Sequence, residues 1–79
     1  MDGWQEVKEG VWRKQRESGL LLDIRSMFGG FSWIIRRSEG EVPLYKGHTQ
    51  TLETAKMLAD ETAVRKCELN RKEPQQNNG

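Results

Sequence analysis

Two successive glycines, Gly29-Gly30, separate two stretches in which apolar and polar residues alternate. Both glycines reach positive φ at no steric cost, and such a pair between alternating runs signals a tight hairpin. Upstream, LLLDIRSMF puts Leu20, Leu22, Ile24 and Phe28 on one face by period two. Leu21, Asp23, Arg25 and Met27 fall on the other. Downstream, FSWIIRR puts Phe31, Trp33 and Ile35 on one face and Ser32, Ile34 and Arg36 on the other. A chain of 79 residues has room for one domain. Whatever else folds must therefore pack on this hairpin.

Further strands extend it. VWRKQRE (residues 11–17) reads as a charged edge strand ended by the Ser18-Gly19 turn. After Ser38-Glu39-Gly40-Glu41, VPLYKGH reads as a short last strand, at an edge or beginning after Pro43, because proline cannot donate to a ladder. Residues 1–9 either begin a strand or lie against the sheet. Thr51 is placed to N-cap a helix beginning at Leu52, with Glu53 suiting its first turn. The helix is expected to reach Leu69, with Leu52, Ala55, Leu58, Ala59, Thr62, Ala63 and Leu69 in one apolar arc and Cys67 near its margin. The expected fold is α+β: an antiparallel meander of three or four strands with one C-terminal helix on one face. Residues 1–69 form that domain. Residues 70–79 (NRKEPQQNNG) carry no apolar side chain and read as a disordered tail.

The chain is 34% apolar and 32% charged, so its core is thin and aromatic bulk matters. Net charge is +1, unevenly spread: residues 11–46 carry seven basic and four acidic side chains. A dedicated duplex-binding domain shows a larger basic excess. One cysteine excludes an intrachain disulfide, and there is neither a secretory pattern nor an apolar run long enough for a membrane span. A soluble, cytoplasmic protein is the expectation. One histidine, His48, and one cysteine do not make a metal site, and no nucleophile motif or phosphate-binding loop is present. His48 reads as a turn residue or a hydrogen-bonding group at the helix entry. The expectation is a protein without enzymatic activity or cofactor.

Two surfaces remain as candidate contact sites. The uncovered sheet face carries Leu21, Arg25, Met27, Ile34 and Arg36, with Tyr45 a further candidate. The outer helix face carries Glu53, Met57, Asp60, Glu61, Val64 and Glu68, an acidic arc around an apolar pair that suits a basic partner. From these, Arg25, Ile34 and Arg36 on the sheet, or the helix arc, are the expected contacts with a protein or nucleoprotein partner. The alternative is a nucleic-acid module using Arg13, Lys14, Arg16, Arg25, Arg36 and Arg37. That reading is weakened because Phe31 and Trp33, the stacking candidates, belong to the covered face. A structural homodimer is the third reading.

The run FSWIIRRSEGEVPLYKGHTQTLETAK has a Trp-bearing strand, a turn, a short strand and a Thr-capped helix with Ala and Lys. In this layout, over about the second half of the chain, it resembles small bacteriophage and prophage proteins built as a sheet plus one helix. That group includes some anti-CRISPR inhibitors. The resemblance implies a stoichiometric inhibitor of a host nucleic-acid-handling or defence complex. More loosely, the chain resembles the three-strand-plus-helix arm-binding domains of phage integrases, which read DNA with the sheet and are more basic.

Overall fold

The alternating runs fold as strands that each pair with their sequence neighbour. In a computed structural model describing residues 3–68, the elements are β1 (Gln5–Lys8), β2 (Val11–Gln15), β3 (Leu21–Met27), β4 (Gly30–Arg36), β5 (Tyr45–Thr49) and α1 (Leu52–Thr62). A π-helical segment, Ala63–Glu68, continues α1. The sheet order is β1-β2-β3-β4-β5, antiparallel throughout. The fold is α+β with five strands, where the sequence suggested three or four. The added strand is β1, and β5 begins after Pro43.

Direct partners across the ladder share a face, so the register fixes both sides of the sheet. Ile24 pairs with Trp33 and Trp33 with Gly47; Leu22 pairs with Ile35 and Ile35 with Tyr45. These rows lie under the helix. Leu20, Leu22, Ile24, Trp33 and Ile35 are buried there against Ala55, Ala59, Ala63 and Cys67. Trp12 and Phe31 pack at the side of this core as an edge-to-face pair, centroids 5.8 Å apart. Two expectations are corrected. Tyr45 belongs to the helix side, because it pairs with Ile35. Phe28 lies in the β3–β4 turn, where alternation has ended, and is fully exposed.

The hairpin tip behaves as its glycines dictate: Gly29 takes φ +90°, which favours glycine. Gly47 serves a different end. A Cβ there would lie 2.5 Å from Trp33 Cζ2, so only glycine leaves space for the indole to lie over β5. Among the described residues the buried Trp33 indole N–H has no hydrogen-bond partner, which offsets part of what burying the ring contributes.

Thr51 caps α1 as its position suggests: its hydroxyl accepts from the Thr54 amide at 3.2 Å. Every fourth residue from Ala55 to Cys67 is small and buried, which lets the helix lie close to the sheet. In an α-helix such a row drifts by about 40° per step. The wider i→i+5 winding from Ala63 onward works against that drift and keeps Cys67 over the core. The expected helix end at Leu69 and the expected tail at 70–79 lie outside the described residues.

Candidate functional site

The face away from the helix is covered by no element among the described residues. Its rows are set by register: Gln5, Arg13, Asp23, Ile34 and Lys46 run across all five strands. Beside them run Val11, Arg25, Ser32 and His48, then Gln15, Leu21 and Arg36. Asp23, central on β3, binds a cation from each neighbouring strand. Arg13 Nε donates to its Oδ1 at 2.8 Å, and Arg36 donates to its Oδ2. Arg13 also reaches Glu39 at 3.5 Å. The hydrogen bond and charge of Asp23 raise the Arg13 pKa above the usual guanidinium value. This triad lies flat: the side chains of Asp23 and Arg36 are 12% and 17% exposed. Half-buried Ile34 and Leu21 sit beside it, and exposed Arg25, Lys46 and His48 surround it. Among the described residues Arg25 and Lys46 make no ion pair.

The outer helix arc is divided by the fold. Glu53, Met57 and Glu61 face water, with Met57 59% exposed, and Glu61 pairs with Arg65 at 3.3 Å. Val64 is half-buried. Asp60 and Glu68 turn instead toward β2. Asp60 receives Lys14 Nζ and Arg16 Nη1, each at 3.1 Å, and the Trp4 indole N–H at 3.3 Å. Glu68 takes two hydrogen bonds from Arg16 and one from the Ser18 hydroxyl at 2.9 Å. The hydrogen bonds to Glu68 raise the Arg16 pKa despite burial.

The same network removes Lys14 and Arg16 from the proposed basic strip. They share the parity of Trp12 on β2, which is a helix-side position. Of that set, the structure brings Arg13, Arg25 and Arg36 together on the open face. Arg37 lies on the helix side, two residues beyond Ile35. Lys46 joins the open face although sequence reasoning did not select it. Its only signal is its alternation with Gly47 on a strand whose register the sequence does not reveal.

On the helix side, Arg37 lines a cavity of about 450 Å³. The β2–β3 turn, the start of β5 and the π-helical segment close around it. Among the described residues no group of three or more His, Cys, Asp or Glu side chains is placed to hold a metal ion. No helix among them is long and apolar enough to cross a membrane. No protein-family model, curated protein or solved structure matches the chain.

Proposed function

We propose that this is a non-enzymatic, cytoplasmic binding protein that acts by occupying a surface of a protein or nucleoprotein partner, with the open sheet face as its contact. The observation that carries the reading is the composition of that face. Apolar Ile34 and Leu21 lie beside a flat Arg13–Asp23–Arg36 triad, with Arg25 and Lys46, which make no ion pair among the described residues, around them. An apolar centre with arginine at hand is how protein interfaces are built. In the phage setting that the resemblance implies, the partner is a host nucleic-acid-handling or defence complex.

Direct nucleic-acid binding is less well supported. The open face presents no Trp, Tyr or Phe on its strands, so it offers no stacking platform. Five strands about 4.8 Å apart span roughly 19 Å, while the major groove is about 12 Å wide.

The test is capture of partners from a bacterial lysate by the tagged protein, with and without nuclease. The expected result is a nuclease-resistant protein at near-stoichiometric yield that is lost with Arg25→Glu, a variant that melts like the parent. Recovery of nucleic acid alone, released by salt, overturns the reading in favour of phosphate binding. Capture that survives Arg25→Glu but fails on reversal of Glu53 and Glu61 moves the contact to the outer helix face.

A further inference from the structure

We propose that the cavity beside the π-helical segment binds a small organic anion, with a phosphate or carboxylate head on an apolar body. Its volume of about 450 Å³ falls within the roughly 300–1,000 Å³ typical of small-molecule sites. It lies on the helix side of the sheet, so this inference is independent of the open face.

The wall is chemically lopsided. Among the described residues it contains the cations Arg37 and Lys66, of which Lys66 has other interactions, and no carboxylate. Two acids are next in sequence to wall residues: Glu68, beside Cys67, whose charge is engaged by Arg16 and the Ser18 hydroxyl, and Glu17, beside Ser18, which is exposed. Arg37 makes no ion pair among the described residues. A guanidinium in that situation can receive a phosphate or carboxylate through two parallel N–H donors. The rest of the wall includes apolar side chains. Leu20 is buried, and Leu44 and Tyr45 remain 38% and 37% exposed, leaving apolar surface for a ligand body to cover.

A second observation falls at the same place. Lys66 and Cys67 belong to the π-helical segment. Such segments are rare and recur at functional sites, because they re-aim side chains that an α-helix would direct elsewhere.

The experiment is a titration of the isotope-labelled full chain with phenyl phosphate, followed by amide NMR. Inorganic phosphate and benzyl alcohol serve as separate arms for head and body. The expected result is saturable binding in the low-millimolar range, with shifts at Gly19, Leu20, Arg37, Tyr45 and Cys67, and weaker binding of either fragment. Arg37→Ala is expected to weaken binding about tenfold or more, since a charge-assisted hydrogen bond is lost. Arg25→Ala, on the opposite face, leaves it unchanged. Non-saturating shifts, shifts centred on Arg25 and Lys46, or unchanged binding in Arg37→Ala would overturn the proposal. If inorganic phosphate binds as tightly as phenyl phosphate, the apolar half of the proposal falls.

Discussion

Trp33 is the largest side chain in the buried core, 7% exposed and held between α1 and the backbone of β5. Trp33→Ala should destabilise by about 3–5 kcal/mol. That is a large share of the roughly 5–15 kcal/mol typical of a small domain, and urea unfolding measures it. Gly47→Ala should cost about 1–3 kcal/mol by overpacking the indole. In a Trp33→Leu background that added cost should shrink, and a double-mutant cycle reads the coupling. The two residues differ in how far sequence discloses them. Trp33 declares its face by alternating with Ile34 and sharing parity with Ile35. Gly47 declares nothing, because its need arises from a neighbouring strand whose register is set only on folding. Phe28 shows the limit of counting by twos: the pattern runs through it, while the backbone has already entered the turn.

At the scale of elements, α1 is held to the sheet in two different ways. Its inner face is a row of small apolar residues, readable from Ala55, Ala59 and Ala63 and from the Thr51 cap. Its flank is tied to β2 and the turn after it by charge, through residues that wheel counting places on the outer, partner-facing arc. Asp60 lies at the edge of the acidic arc nearest the sheet, where Lys14 of β2 and Arg16 just beyond it reach its carboxylate. Glu68 lies in the π-helical winding, which a regular 100° wheel does not describe. Glu68→Gln should cost about 1–3 kcal/mol, since the Arg16 and Glu68 side chains are only 23% and 20% exposed. Salt should weaken this tie less than it weakens the exposed Glu61–Arg65 pair. The raised Arg16 and Arg13 pKa values have a definite sign. Their stabilisation is complete below the ordinary guanidinium range and is lost only as pH rises above it, so moderate alkali should not release the helix.

For the whole molecule, the binding reading rests on a sheet with one face packed and one face bare. That division was legible from the β3–β4 hairpin alone. The number of strands was not, because β1 is four exposed residues, Gln5–Lys8, of which only Val7 is apolar. Reversing Glu61 to Lys should leave both melting temperature and sheet-face capture nearly unchanged, as parallel capture and melting assays would show. The meander also has a kinetic meaning. Each strand meets only its sequence neighbour, so the sheet closes through short loops, a topology that folds quickly. The ties from α1 and its π-helical end to Trp4, Lys14 and Arg16 instead span 44 to 56 residues. They are expected to form after the rate-limiting step. Stopped-flow chevrons should then show Glu68→Gln speeding unfolding while the refolding limb stays where it was. A chain built this way assembles its bare face early and fastens its C-terminal clasp late, so loosening the clasp shortens the lifetime of the fold without slowing its formation.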